Sequence, residues 1–276
     1  MCIETLNSIM NYIDPEKISG FYIKNNNFCL LLKDDGRDLS ILKDQSIDCI
    51  ITDHPWDDKK ANMGGARKFT LYNCFNYTID DFKEKSRVLK PGYFCVEVIP
   101  AENETNYKYL YKIKEYAEEN NLLYYSKVAW KKGTFVSNTG RKAKNTQDIM
   151  IFSKGKARPL RLDAKKTAIE GHPCYMSGTN KMLPTNFDVQ YVPKNKRIHQ
   201  AEIPVLLIEQ IIDYVTLENE IILDQFAGSG SVGIAALNKN RNCILKEIDE
   251  TNIEKIQKRF TDLGYHNEAE KLTKLS

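Results

Sequence analysis

Two short clusters in this chain carry residue types that could do chemistry. The first is Asp53-His54-Pro55-Trp56, which follows the apolar run Ser46 to Thr52. Pro55 restricts the residue before it to extended backbone. The Asp53 carboxylate and the His54 carbonyl can therefore aim in one direction. Two such acceptors can grip both hydrogens of one amino group, and Trp56 offers a flat face for stacking. That set suits a planar base with an exocyclic amine. The same residues also fit a strand-ending turn with a packed tryptophan. The second cluster spans Ile221 to Asp249. Ile221, Ile222 and Leu223 form an apolar run closed by Asp224, and Gly228, Gly230 and Gly233 make a tight turn into a helix. A further run, Cys243 to Leu245, ends at the acidic Glu247. Glycines let a ligand approach the backbone, and a later acid binds ribose hydroxyls, so this reads as a nucleotide-binding half of a doubly wound sheet. The glycine spacing also fits a pyrophosphate held at a helix end.

Ligands in open α/β sheets bind at the carboxyl ends of strands. The fold must therefore bring the two clusters to neighbouring strand tips. A nucleotide-binding sheet usually starts with the glycine unit. Here that unit lies close to Ser276, the last residue, so the other strands come from upstream and the order is permuted. Residues 21–33 read as two short strands around Asn25–Asn27, a hairpin. A helical segment is expected near Leu39–Leu42, and Ser46 to Thr52 is a buried strand. Residues 57–77 read as a polar loop with Gly64-Gly65. Ile79 to Leu89 is helical by spacing, Lys90-Pro91-Gly92 breaks it, and Tyr93 to Ile99 is the next strand. Asn106 to Asn120 is a helix, and Leu122 to Trp130 and Ile149 to Phe152 are strands. Residues 156–197 lack periodicity and read as a small irregular insert. Pro204 to Val215 is a helix with proline near its first turn. The alternation predicts one α/β domain over residues 1–276, a Rossmann-like, doubly wound, mainly parallel sheet.

Composition narrows the function classes. Apolar residues make up 42% of the 276 residues, enough for a sizeable core. No apolar run reaches the ~18 residues of a membrane helix. The start, MCIETLNSIMNYID, lacks a basic-then-apolar signal pattern, so a cytoplasmic location is expected. Seven cysteines are scattered without a C-x-x-C pair, which predicts reduced, mostly buried thiols and no metal site. Net charge is only +3, but Lys131 to Lys166 holds eleven Lys or Arg against two Asp. Such a stripe could meet phosphates; it could equally be a solvated face.

Five segments match one known family in type and order. SIDCIITDHPW is similar to its S-V-D-L-I-I-T strand followed by D-P-P-Y. Arg87-Val88-Leu89-Lys90-Pro91-Gly92-Tyr93 is similar to R-V-L-K-P-G-G. Asp148 to Gly155 is similar to a strand with an acid before its apolar run, then K-G. His199-Gln200-Ala201-Glu202-Ile203-Pro204 is similar to H-P-T-Q-K-P. Asp224-Gln225-Phe226-Ala227-Gly228-Ser229-Gly230 is similar to D-P-F-x-G-S-G. The chain thus resembles the circularly permuted, beta-class amino-methyltransferases of DNA, which use S-adenosylmethionine. It departs from them at His54 and Gln225, where proline is usual, at Trp56 for tyrosine, and at Ile203 for lysine.

The resemblance implies a methyltransferase-type sheet and a catalytic set of Asp53, His54, Pro55 and Trp56. Asp53 and the His54 carbonyl would accept the hydrogens of an adenine amine and localise the nitrogen lone pair for attack on the methyl group. Because the methyl sulfonium is already activated, no metal is needed. The base would be flipped from duplex DNA, at a cost of a few kcal/mol, and stacked on Trp56. For S-adenosylmethionine, Asp224 and Phe226 would flank the methionine part. Ala227, Gly228, Ser229 and Gly230 would permit close backbone approach, and Glu247 would bind the ribose. Asp38 matches a family G-D near the cofactor adenine; His199 and Pro204 belong to the segment ahead of the cofactor strand. Phosphate contacts are expected from Lys59, Lys60, Arg67 and Lys68 in the 57–77 loop and from Arg141, Lys142 and Lys144 in the stripe. Lys165, Lys166, Lys181, Lys194, Lys196 and Arg197 lie in the 156–197 insert, where the family keeps its target-recognition region. Asn180, Asn186 and Gln190 could read base edges there. Aspartate at 53 favours adenine; cytosine-amine members more often carry serine. A DNA-binding protein that kept the fold, an RNA or protein amide methyltransferase and a nicotinamide dehydrogenase are the rival readings. The resemblance also admits a cognate restriction endonuclease and a homodimer.

Overall fold

The computed structural model describes residues 2–12, 14–56, 74–133, 137–139, 142–159 and 183–273. The chain runs through α1 (Cys2–Ile9), β1 (Ile18–Lys24), β2 (Asn27–Lys33), β3 (Ile47–Thr52), α2 (Ile79–Val88), β4 (Leu89–Pro100), α3 (Tyr107–Glu119) and β5 (Leu122–Lys131). A small pair, β6 (Ser137–Thr139) and β7 (Lys142–Lys144), precedes β8 (Thr146–Lys154) and β9 (Asn186–Asp188). The chain closes with α4 (Val205–Val215), β10 (Ile221–Asp224), α5 (Ser231–Asn238), β11 (Asn242–Glu247), α6 (Glu250–Asp262) and α7 (Glu270–Thr273).

Among the described residues the main sheet has nine strands in the order β1-β2-β11-β10-β3-β4-β8-β5-β9. From β2 to β4 every neighbour is parallel. Only β1 and β8 run against the rest. The parallel strands read as continuous apolar runs because helices cover both faces. Every residue of β3, β10 and β11 is buried. Leu207, Ile211, Ile234, Ile253 and Phe260, from α4, α5 and α6, pack on one face. Leu6, Phe82, Leu110 and Ile113, from α1, α2 and α3, pack on the other. This is a doubly wound α/β sheet, as the alternation predicts.

Local chemistry explains several boundaries. Asn25 and Asn26 both take positive φ, 50° and 65°, the conformation a two-residue hairpin turn demands. Thr78 and Asp81 form a reciprocal capping box at the start of α2, and Asp249 caps α6 by accepting from the Asn252 N–H. The helix expected near Leu39–Leu42 is absent. Asp38 instead accepts from the Ser40 N–H at 2.9 Å, and Leu42 bridges to Met10, so local side-chain bonding wins over helix. Lys90-Pro91-Gly92 does not separate helix from strand; β4 begins at Leu89, paired to Ile47, with a register shift before Cys49. Gly92, at φ +85°, lets the strand pass this irregularity. Within the predicted insert, β9 adds a parallel edge strand to β5, while residues 160–182 lie outside the described residues. Most of the 57–77 loop lies outside them too. No helix among the described residues is long and apolar enough to cross a membrane.

Candidate active site

The sheet makes β3 and β10 parallel neighbours, with Ile222 opposite Cys49 and Leu223 opposite Ile50. Their carboxyl ends therefore meet. Thr52, the last residue of β3, donates its hydroxyl to Asp224 Oδ1 at 3.0 Å, across 172 positions of sequence. Around this junction lies one cavity of about 940 Å³. Its walls include Asp53, His54, Pro55 and Trp56 on one side and Asp224, Phe226, Ala227, Gly228, Ser229 and Glu247 on the other. Such a volume is at the upper end of small-molecule sites. Phe75 bridges the halves, with its ring 5.4 Å from that of Phe226.

The glycine turn after β10 is shaped by backbone needs. Gly228 and Gly230 have φ of +51° and +71°, a region that glycine alone enters without penalty. A Cβ at Gly36 would lie 1.9 Å from the Gln225 carbonyl oxygen, so the 34–38 loop can pass there only without a side chain. Gln225 fastens that loop by donating to the Gly36 carbonyl at 2.6 Å. Glu247 is held by three backbone groups: Oε2 accepts from Gly228 at 2.8 Å, and Oε1 from Ile248 and Asp249 at 3.1 and 3.0 Å. Oε1 is thereby filled, and Oε2 keeps one lone-pair site for a further donor. His199 lines the cavity near Gly228. Behind it, Glu202 pairs with Arg259 at 2.9 Å, and Arg259 donates to the Ser229 carbonyl at 2.8 Å. Residues 198–202 are thus pinned to the glycine turn. Gly230 and Pro204 cap α5 and α4 and, like Asp38, are not among the lining residues; Asp35, Gly36 and Arg37 line that side instead.

The electrostatics are dominated by carboxylates out of water. Burial raises Asp53 to about 8; a hydrogen bond from Trp56 and the charge of Lys132 pull the other way, while Asp224 and Glu97 push further up. Asp53 Oδ1 is buried and has no hydrogen-bond partner among the described residues. Burial likewise raises Asp224 to about 7, opposed by the Phe226 N–H and Thr52 and aided by Glu247 and Glu97. A cavity with unbalanced buried acceptors suits a cationic or amino-bearing ligand.

The His54 side chain turns into an aromatic box. Its ring lies 3.9 Å from that of Tyr77 and near Phe75 and Tyr109. Burial first, then the charge of Lys85, holds its pKa well below the ordinary value. Under the box, Lys85 and Glu97 form a fully buried ion pair, and the Tyr77 hydroxyl donates to Glu97 at 3.1 Å. These groups are absent from the expectations. Glu97 had a signal, being an acid inside the apolar run YFCVEVIP; Lys246, buried in NCILKE and paired with Asp34 at 2.8 Å, had a similar one. Tyr77, Tyr109 and Phe75 had none, since aromatic residues on helices and loops usually just pack.

Of the expected phosphate contacts, Lys59, Lys60, Arg67, Lys68, Arg141, Lys165, Lys166 and Lys181 lie outside the described residues, as does Asn180. Lys142 and Lys144 are placed on β7 by their backbone alone. Lys132, Lys194 and Arg197 line the cavity, with Trp130 and Tyr191.

Residues 47–258 match the N6/N4 family model described as DNA methylase. The chain belongs to this family of DNA amino-methyltransferases. The methylase is 26% identical over 229 residues to the Type II methyltransferase M.HpaI of Haemophilus parainfluenzae, covering 80% of this chain and 70% of that protein. Its fold matches the M1.HpyAVI–SAM complex with a TM-score of 0.59, 21% identity and coverage of 84% and 98%. It also matches the cytosine-N4-specific PvuII DNA methyltransferase with a TM-score of 0.61, 18% identity and coverage of 89% and 90%. The α/β fold of this methylase is therefore that of DNA methyltransferases.

Proposed function

We propose that this methylase transfers a methyl group from S-adenosylmethionine to the exocyclic amine of an adenine flipped out of duplex DNA. The observation that carries the reading is the buried Asp53 Oδ1, without a hydrogen-bond partner among the described residues, on a side chain that lines the same cavity as the glycine turn. S-adenosylmethionine supplies a methyl group already activated on a sulfonium. The residues present fit it. A Cβ would meet the Gln225 carbonyl oxygen at 1.9 Å at Gly36 and the His199 ring at 3.4 Å at Gly228, so the turn closes only without side chains there; Glu247 would offer a fixed carboxylate for hydroxyls, and Asp224 a buried acid for a cation.

Asp53 and the His54 carbonyl accept the two hydrogens of the target amine. That draws the nitrogen lone pair out of the ring and toward tetrahedral geometry. The positive charge that develops on the amine is stabilised by aimed acceptors in a dry site; the methyl–sulfur bond would break as the methyl–nitrogen bond forms, its electron pair staying on a neutral thioether, and the nitrogen's surplus proton would pass first to Asp53, which already accepts that hydrogen. The His54 carbonyl already accepts from the Trp56 N–H at 2.8 Å, which leaves one lone pair for the amine. Trp56 offsets part of the flipping cost by stacking. Lys132, Lys194 and Arg197, at the cavity wall, would meet the phosphates flanking the flipped base.

Aspartate at 53 supports adenine. The likeness to the cytosine-N4-specific PvuII enzyme supports a second reading, transfer to the cytosine amine. Likeness to a Type II methyltransferase also supports a place beside a restriction endonuclease reading the same site. The test is to express the protein in a host lacking DNA methylation and to identify modified bases by mass spectrometry. N6-methyladenine is expected. N4-methylcytosine would move the substrate, and unmodified DNA would overturn the reading.

A further inference from the structure

We propose that Tyr109 is a positioning residue: its hydrogen bond to the His54 imidazole fixes the direction in which the His54 carbonyl meets the target amine. The inference rests on the methyl-transfer reading above.

A carbonyl is a useful acceptor only if its peptide plane is held. Proline at position 54 would fix φ by its ring; histidine has no such ring, so its backbone must be held from outside. The imidazole is anchored on two sides, and its third edge faces a carboxylate. Its face lies 3.9 Å from the Tyr77 ring. Nε2 lies 2.8 Å from the Tyr109 hydroxyl. Nδ1 lies 3.9 Å from Glu97 Oε2, beyond hydrogen-bond reach, and has no other partner among the described residues.

The directions of these bonds follow from the neighbours. The Tyr77 N–H donates to the Tyr109 hydroxyl at 2.9 Å, and the carboxylate facing Nδ1 can only accept, so the ring proton goes to Nδ1 and the Tyr109 proton to His54 Nε2. Nε2 then accepts, and Nδ1 carries the ring proton toward the Glu97 carboxylate. This tautomer is assigned from the hydrogen-bond network. Glu97 is fixed in turn by Lys85 and by the Tyr77 hydroxyl. The chain of contacts links α2, α3 and β4 to one imidazole, and through it to the peptide that follows β3. On the backbone side the Trp56 N–H closes onto the His54 carbonyl, so the exchange of this one amide reports whether the carbonyl is held.

The test combines kinetics with amide exchange. Tyr109→Phe should lower kcat for methylation of unmethylated genomic DNA about tenfold. KM for DNA and the affinity for S-adenosylmethionine should change by less than about twofold. His54→Leu should cost a similar factor, and the double variant should lose no more than either single change. In protein without DNA, Tyr109→Phe should speed exchange of the Trp56 amide about tenfold. Losses that multiply, a loss confined to KM, or an unchanged Trp56 amide would overturn the proposal. Should Tyr109→Phe fail to fold, the nitrogen-15 shifts of His54 in the unaltered protein decide. An imidazole protonated on Nδ1 and accepting at Nε2 supports the assignment; one protonated on Nε2, or doubly protonated near neutral pH, refutes it. Absence of all methyl transfer by the unaltered protein would reject the functional reading, while amide exchange and ring shifts would still judge the role of Tyr109.

Discussion

At the scale of single residues, the site is built from carboxylates denied water. Asp53 presents an oxygen without a donor, a state that costs free energy unless a ligand completes it. Asp53→Ala is expected to lower methyl transfer by about 100-fold or more. The dissociation constant for S-adenosylmethionine, read by calorimetry, should stay within about threefold; retained activity would remove Asp53 from the reaction. Asp224 makes a pH prediction. Its pKa rises on folding from 3.8 to about 7, so the native state binds this proton more tightly than the unfolded chain. The resulting stability is complete below the unfolded value and is lost as pH climbs through about 7. Asp53, raised to about 8, acts with the same sign. In urea unfolding without ligand, Asp224→Asn should reduce the fall in stability between pH ~4 and ~8 by on the order of 1 kcal/mol or more. An unaltered slope would show that Asp224 is not raised.

At the scale of elements, strand tips and the loops that close over them do the positioning. The apolar runs of β3 and β10 were legible because both faces are buried and every residue reads as core. Asp53 and Asp224 were legible as the polar residues that end those runs. The loop carrying Gly36 was not, since nothing local shows which backbone it must pass. Gly36→Ala would place a methyl group against the Gln225 carbonyl. We expect it to destabilise the fold by about 1–3 kcal/mol, measured as a drop in melting temperature. It should also weaken S-adenosylmethionine binding, because Gln225 and Phe226 adjoin the glycine turn; binding and melting both unchanged would mean that the loop relaxes freely. The start of β4 and the segment at Leu39–Leu42 were misjudged for a related reason. Pro91 and Gly92 signal a break by themselves, yet pairing of Leu89 with Ile47 overrides that signal.

At the scale of the whole molecule, net charge is small and its distribution matters. Eleven basic residues stand against two acidic ones between Lys131 and Lys166, and among the described residues Lys132, Lys194 and Arg197 line the cavity. If about six phosphates are met, affinity for duplex DNA should fall roughly 1,000-fold between ~50 and ~200 mM salt, as fluorescence anisotropy would show. A flat response would detach the stripe from phosphate.

The amino-acid sequence by itself determined the alternation of strands and helices, the glycine turn, and the acids at two strand ends, because backbone preference and burial act over short range. It also determined that the glycine unit comes late in the chain. Only the tertiary structure decided that β3 and β10 are neighbours, that their tips share one cavity, and that the His54 imidazole packs on Tyr77 and bonds to Tyr109. Those facts depend on which distant segments pack together. A hydrogen bond such as that between Thr52 and Asp224, spanning 172 positions, leaves no trace in local spacing.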